Sequence, residues 1–225
     1  MPYRRTENVV RRLAARHAAI IAAAREAAAE GGMAAVQIAP VARRAGIAAG
    51  TVYRYFPGKL DLVAALLAAV AEDEIAALRR AADVAPGPLS ALAAAVMTFA
   101  ARALRQRRLA FAALAEPVDA ELDTARLACR KAVAAEFAVR IAAASAGGHL
   151  PEQDCALAAA ALLGLMVEGL IGPLAPDPAG RERELLQSLT LIAQRALGVA
   201  DPRARGLVLS GIRSTGVRSQ DSGNR

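Results

Sequence analysis

The sequence predicts an all-α protein, and three observations support that fold class. Alanine, the best helix former, dominates the 225 residues. Aromatic residues make up only 3% of the chain and tryptophan is absent, whereas strands favour aromatic and β-branched side chains. Apolar residues recur at steps of three and four, and no segment shows sustained strand alternation. We therefore expect nine helices, with enough apolar side chains for one large domain or two small ones.

Gly- and Pro-rich breaks divide the chain into these helices, because glycine and proline end helical segments. The first four predicted helices cover residues 9–30, 38–45, 48–56 and 59–82. The other five cover residues 89–106, 107–115, 119–144, 152–170 and 179–197. We expect a three-helix N-terminal head over residues 9–58 and a six-helix body over residues 59–200. Residues 201–225 are rich in Gly, Ser and Arg, which predicts a disordered tail.

The charge distribution differs between these segments. Residues 1–60 carry ten Arg or Lys against three Glu, a net charge of +7. Residues 61–200 carry thirteen basic against sixteen acidic side chains, a net charge of −3, and residues 201–225 have +3. A basic head on a mildly acidic body suggests that the head alone binds a polyanion, although Arg-rich surfaces are often simply solvated.

Composition argues against several other protein classes. Two cysteines, Cys129 and Cys155, and two histidines form neither a disulfide framework nor a zinc-binding spacing. The longest apolar run, 155–167, is shorter than the ~20 residues of a membrane span, and the charged N-terminus lacks a signal-peptide pattern. No phosphate-binding glycine loop and no nucleophile–base pair is recognisable. We expect a cytoplasmic protein that is not an enzyme and needs neither metal nor cofactor.

Residues 37–59, QIAPVARRAGIAAGTVYRYFPGK, predict two short helices joined by a tight turn at Gly46. That arrangement is typical of a helix-turn-helix motif, here about residues 37–56. At 100° per residue, Val52 and Phe56 lie on one face of the second helix and are expected to point into the core. The opposite face carries Gly50 and Arg54, flanked by Thr51 and Tyr53, while Tyr55 lies between the two faces. These outward groups can donate to phosphates and base edges.

This segment resembles the signature of TetR/AcrR-type transcriptional regulators. The matching residues are Val41-Ala42-Arg43-Arg44-Ala45-Gly46-Ile47 and Thr51-Val52-Tyr53-Arg54-Tyr55-Phe56-Pro57-Gly58-Lys59. The resemblance implies nine helices, a DNA-binding head and a dimeric body that usually holds an effector. It also implies phosphate contacts from Thr51, Tyr53, Tyr55 and Lys59, and groove contacts from Ala49, Gly50 and Arg54. Arg43 and Arg44 are candidate additional backbone contacts. The sequence departs from the signature at Gln37 and Ala48, where many members have a capping Ser or Thr.

Two apolar stripes in the last two predicted helices suggest a four-helix dimer interface. The stripes consist of Leu157, Ala161, Leu162, Leu165 and Met166, and of Leu185, Leu189, Ile192 and Ala196. A stripe buried within one subunit is the alternative. Candidate effector contacts are Met97, Phe99, Phe111, Leu114 and Phe137, each of which could equally be ordinary core. Glu168, in an otherwise apolar helix, is a further candidate effector contact, because a buried carboxylate needs a partner. That partner could be a cationic ligand, an arginine across the dimer, or simply water.

These features together predict a repressor that a small-molecule effector releases from a palindromic DNA operator. The alternative is an all-helical ligand-binding carrier or scaffold that does not bind DNA. The N-terminal arginines Arg4, Arg5, Arg11 and Arg12 are either further contacts to DNA or a solvated first turn.

Overall fold

The chain forms ten α-helices and one short 3₁₀ helix in the part that the computed structural model describes, residues 3–215, with side chains for residues 7–210. The α-helices are α1 (Tyr3–Gly31), α2 (Ile38–Arg44), α3 (Ala49–Tyr53), α4 (Lys59–Asp83), α5 (Pro88–Arg105), α6 (Arg107–Leu114), α7 (Ala120–Ala146), α8 (Cys155–Leu170), α9 (Glu182–Ala196) and α10 (Asp201–Thr215). The 3₁₀ helix, Met33–Ala35, follows α1. No strand occurs among these residues, and the predicted all-α class is confirmed.

The nine predicted helices correspond to α1–α9, and most of their ends agree within a few residues. The helix ends agree because the glycine and proline residues between the helices end them locally and need no tertiary context to do so. None of the helices in the described part combines the length and the apolar character that a membrane crossing requires.

The chain divides into two compact units, and it passes from one to the other within α4, at the start of α6 and within α7. The first unit contains Met1–Val70 and Arg108–Cys129. Within it, α1 packs against the 3₁₀ helix and α2, and α2 packs against α3. Its fully buried side chains include Ile20, Ala24, Val41, Val52 and Leu62. The Glu116 carboxylate accepts a hydrogen bond from the Met33 backbone N–H at 3.1 Å, which ties the segment after α6 to the 3₁₀ helix.

The second unit contains Ala71–Arg107 and Arg130–Arg225. Within it, α9 packs against α5, α8 and α10, and α5 also contacts α8 and α10. Phe99 of α5 meets Phe137 of α7 edge to face, with ring centroids 5.9 Å apart. The buried Glu136 carboxylate accepts hydrogen bonds from Arg79 at 2.9 Å and from Arg140 at 2.8 Å. This paired carboxylate links the C-terminal half of α4 to α7.

The prediction of a disordered tail is wrong for residues 201–215, which form α10. Ala204 and Val208 of this helix are buried, and Val208 clusters with Met97 of α5, with Leu191 of α9 packed against the pair. Composition alone could not predict this helix, because a short helix with few apolar residues is stable only when it packs on a partner. Residues 216–225 of the predicted tail lie outside the described residues.

Candidate nucleic-acid interface

The turn between α2 and α3 has the geometry that the sequence predicted. Gly46 has φ +65°, a left-handed conformation that favours glycine. Its N–H donates to the carbonyl of Arg43 at 3.1 Å, and the N–H of Ile47 donates to the carbonyl of Ala42 at 3.0 Å. These two hydrogen bonds form a Schellman motif, which satisfies carbonyls left free at the end of α2 and turns the chain towards α3.

Helix α3 presents the two faces that the sequence predicted. Val52 is fully buried and Phe56 is 4% exposed, whereas Tyr53 is 54% exposed and Arg54 is also exposed. The helix ends at Tyr53, whereas the sequence predicted that it would continue to residue 56. The N–H of Phe56 still donates to the carbonyl of Val52 at 2.9 Å, which keeps both side chains on the buried face. The outer face is therefore free for a ligand.

The remaining predicted contacts of this region surround that outer face. Gly50 is exposed, and a side-chain carbon added there would meet nothing within 4 Å. Ala49, Thr51 and Tyr55 are half-buried. The ring centroid of Tyr55 lies 6.4 Å from that of His17 on α1, so its ring packs partly between the two helices.

Arg43 and Arg44 differ in their surroundings. Arg44 is hydrogen-bonded to Glu30 of α1 at 2.7 Å and contacts Glu26 at 3.4 Å. The hydrogen bond from Arg44 lowers the pKa of Glu30, and the same bond raises the pKa of Arg44. Arg43 is exposed, and none of the described ion pairs includes it. Of the two, Arg43 is better placed to contact a phosphate.

Lys59 is the first residue of α4, as predicted, and its side chain is half-buried. The start of this helix is capped, because the Asp61 carboxylate accepts a hydrogen bond from the Gly58 N–H at 2.8 Å. A carboxylate in the first turn also interacts favourably with the helix dipole. The cap fixes the position where Lys59 leaves the backbone.

The sequence offered Arg12 of α1 as a possible DNA contact, but sequence reasoning missed Arg16 and the position of both residues beside α3. An open cleft of about 520 Å³ lies between α1 and α3 and is lined by Arg12, Leu13, Arg16, Thr51, Arg54 and Tyr55. The spacing of Arg12 and Arg16 could have indicated a shared face, because residues four apart are neighbours on a helix. Only the packing of α1 shows that this face meets α3.

The candidate effector residues are mostly core in the structure. Met97, Phe99 and Phe137 are buried in the second unit, and Leu114 is buried in the first. Phe111 is half-buried. Their role in ligand binding therefore stays a prediction.

Glu168 is not a buried carboxylate, and its role as an effector contact stays a prediction. Its side chain is exposed, and its carboxylate accepts a hydrogen bond from the backbone N–H of Leu174 at 3.0 Å. The carboxylate also lies over Gly172, where an added side-chain carbon would approach it to 2.5 Å. Glu168 thus orders the loop after α8, which explains a charge in an apolar helix.

The predicted interface stripes are only partly exposed. Leu157 is 68% exposed and Ile192 is 48% exposed, whereas Leu162 and Met166 are buried within the chain. Met166 has no exposed surface and is core, which corrects the prediction for that residue. Ala161 and Ala196 are exposed, and Leu165, Leu185 and Leu189 are half-buried. An apolar groove of about 250 Å³ includes Leu157, Ala161, Leu162, Leu165 and Ala196 in its lining.

Sequence comparison finds a family match in the N-terminal part of the chain. Residues 20–66 match the family model described as bacterial regulatory proteins, tetR family. The match covers the C-terminal part of α1 from residue 20, all of α2 and α3, and the start of α4. No curated protein sequence gives a significant match.

Solved structures resemble nearly the whole chain. RolR in complex with resorcinol is 21% identical, with a TM-score of 0.66 over 88% of this chain and 95% of that one. FadR from Bacillus subtilis, in complex with stearoyl-CoA, is 20% identical, with a TM-score of 0.66 over 80% and 97%. A tetR-family regulatory protein from Rhodococcus RHA1 is 23% identical, with a TM-score of 0.62 over 83% and 98%. At these identities the likeness establishes a shared fold.

Proposed function

We propose that this chain, whose residues 20–66 match the tetR family of bacterial regulatory proteins, is a homodimeric repressor of the TetR type that a small molecule releases from its operator. The observation that carries the proposal is the orientation of α3. Its apolar residues Val52 and Phe56 are buried, while Gly50, Tyr53 and Arg54 form an exposed face without negative charge. Such a face suits the major groove of a duplex.

Three further groups complete the proposed DNA contacts. Thr51, Tyr55 and Lys59 lie beside the exposed face of α3 and can donate to phosphates. Arg43 can add a contact from α2, whereas Arg44 would have to leave Glu30 and Glu26 first. The small residues Ala49 and Gly50 allow close approach to the groove. The head of residues 9–58 is the DNA-binding part in this proposal.

We propose that dimerisation uses the exposed apolar surface of α8 and α9. Leu157 and Ile192 would otherwise leave large apolar side chains in water, and the groove beside Leu157 can accept side chains from a second copy. A twofold axis would also place two heads in successive major grooves about 34–36 Å apart. A homodimer therefore requires a roughly palindromic operator.

The body, residues 59–200, is the proposed effector-binding part. The fold relatives crystallised with resorcinol and with stearoyl-CoA carry very different ligands, so the shared fold does not define the chemistry of the ligand. We propose that the effector favours a dimer in which α4 has moved and the two heads no longer fit successive grooves. Repression of this kind takes place in the cytoplasm, where bacterial DNA is located.

The test is selection of bound duplexes from a random pool, followed by a mobility-shift titration. We expect an enriched inverted repeat with half-sites about 10 base pairs apart, or a multiple of that spacing. Equal affinity for the selected and a shuffled duplex would contradict the proposal and favour a carrier or scaffold. Once the operator sequence is known, small molecules can be screened for those that release the protein from the bound duplex.

A further inference from the structure

The cleft between α1 and α3 concentrates positive charge. Three of its six lining residues are arginines, namely Arg12 and Arg16 from α1 and Arg54 from the end of α3. Thr51 and Tyr55 add two hydroxyl groups, and Leu13 is the one apolar side chain of the lining. No acidic residue lines the cleft, so its chemistry is that of an anion site.

These arginines differ from others in the same unit. Arg44 is paired with Glu30 and Glu26, but no carboxylate in the described part of the chain forms an ion pair with Arg12, Arg16 or Arg54. Three guanidinium groups around one cleft repel each other unless an anion lies between them. An anion bound in the cleft would therefore be attracted by all three guanidinium groups.

The position of α1 relative to α3 is set by aromatic packing. His17, the residue after Arg16, has its ring centroid 5.0 Å from that of Phe56 and 6.4 Å from that of Tyr55. Phe56 is itself buried, so His17 rests on the core of the head. This ring contact keeps Arg16 and Arg54 beside the same cleft, and it involves neither guanidinium group.

We propose that this cleft binds a backbone phosphate of the DNA duplex, held by Arg12 and Arg16 from α1 together with Arg54. The inference rests on the proposed function and extends the DNA-binding surface from the helix-turn-helix to α1. It also changes the role of Arg54, which contacts a phosphate and does not read a base edge. Guanidinium groups suit this task because their fork of N–H donors matches two phosphate oxygens.

The test compares four single variants of the chain: Arg12→Ala, Arg16→Ala, Arg54→Ala and the control Arg80→Ala. Arg80 lies in the part of α4 that belongs to the second unit, is exposed and does not line the cleft. Affinity is measured for the selected operator and for a shuffled duplex across a series of salt concentrations. All four side chains are exposed, so circular dichroism should show an unchanged fold.

We expect each cleft variant to lose about tenfold in affinity for both duplexes, and the slope of log K against log salt to fall by about 1. Arg80→Ala should stay within about twofold of the parent chain. Arg16→Lys should recover part of the loss, because it keeps the charge but not the fork of donors.

Three results would overturn the inference. One is that Arg12→Ala and Arg16→Ala behave like Arg80→Ala. Another is that Arg54→Ala weakens only the operator and leaves the shuffled duplex unaffected, which would return Arg54 to base reading. The third is that inorganic phosphate raises the melting temperature in an Arg16-dependent way while the cleft variants bind DNA normally. Failure of the parent chain to prefer any duplex would instead refute the proposed function.

Discussion

Gly46 and Gly50 lie four residues apart in the helix-turn-helix, yet their backbones have different requirements. Gly46 has φ +65° and ends α2, whereas Gly50 lies inside α3 with ordinary helical geometry. An added side-chain carbon would meet nothing within 4 Å at either position. Any difference between alanine substitutions at the two sites therefore reports backbone conformation and not steric clash.

We expect Gly46→Ala to lower the free energy of unfolding by about 1 kcal/mol, since the left-handed conformation disfavours a side chain by ~1–2 kcal/mol. Gly50→Ala should instead raise it, by up to about 1 kcal/mol, because alanine favours helix. Urea unfolding of both variants measures the two changes. If Gly50 faces the groove, Gly50→Ala should also weaken operator binding despite its greater stability. Equal destabilisation by both substitutions would contradict this account.

At the scale of the helix, α9 combines an apolar face with two buried polar side chains. Thr190 is 1% exposed and Gln194 is fully buried, and they lie four residues apart on one face. Among the described residues, no hydrogen-bond partner meets the Thr190 hydroxyl or either end of the Gln194 amide. A buried amide without a partner costs roughly 1–3 kcal/mol in proteins.

We therefore expect Gln194→Met to raise the free energy of unfolding by about 1–3 kcal/mol, because it keeps the side-chain volume and removes the unpaired amide. Leu186→Ala, on the same buried face, is the matched control and should lower it by about 2–5 kcal/mol. Chemical unfolding measures both. A destabilised Gln194→Met variant would mean that the amide has a partner in solution.

Helix α10 is held in part by Asp201. Its carboxylate accepts hydrogen bonds from Arg205 at 2.7 Å and from Arg195 of α9 at 2.6 Å. The hydrogen bond from Arg205, followed by that from Arg195, lowers the pKa of Asp201 below its usual 3.8. Because the pKa is lower in the folded state, this stabilisation is present above the unfolded pKa and is lost as the pH falls through the folded value.

We expect Asp201→Asn to reduce stability at pH 7. The difference from the parent chain should shrink as the pH falls through the lowered pKa of Asp201, because the parent carboxylate then becomes protonated as well. Thermal unfolding between pH 7 and pH 2.5 measures the difference between parent and variant. Asp177→Asn is a control, since Asp177 lies in the loop before α9 and accepts only a local backbone hydrogen bond. A pH-independent difference would contradict the ion-pair explanation.

At the scale of the whole molecule, the proposed homodimer depends on the exposed apolar surface of α8 and α9. Leu157→Glu places a charge on a side chain that is 68% exposed, so the fold should tolerate it while a dimer interface should not. We expect the dimer to dissociate to a monomer and operator affinity to fall at least tenfold, because two heads no longer bind together. Sedimentation velocity measures the mass.

Val139→Glu is the control, because Val139 is 60% exposed on α7, outside the proposed interface. It should leave both mass and operator affinity unchanged. A Leu157→Glu variant that remains dimeric would show that another surface forms the interface.

The sequence by itself determined the all-α class, the nine helices α1–α9, the turn at Gly46 and the inward placement of Val52 and Phe56. Each of these follows from local chemistry: helix propensity, breakers, and the 100° step between residues. The prediction of a disordered tail was wrong for residues 201–215, because a segment rich in Gly, Ser and Arg has a disordered composition. The segment forms a helix here because Ala204 and Val208 are buried where α10 packs against α5 and α9.

Only the tertiary structure decided which charged side chains have hydrogen-bond or ion-pair partners. Arg43 and Arg44 are neighbours of the same type, yet Arg44 pairs with Glu30, fourteen residues away. Glu168 accepts a hydrogen bond from the Leu174 N–H in the loop after α8, a partner that was not among those the sequence suggested. The cleft of Arg12, Arg16 and Arg54 likewise requires α1 to pack against α3. Pairing and burial depend on distances between segments remote in the chain, and local propensity contains no information about those distances.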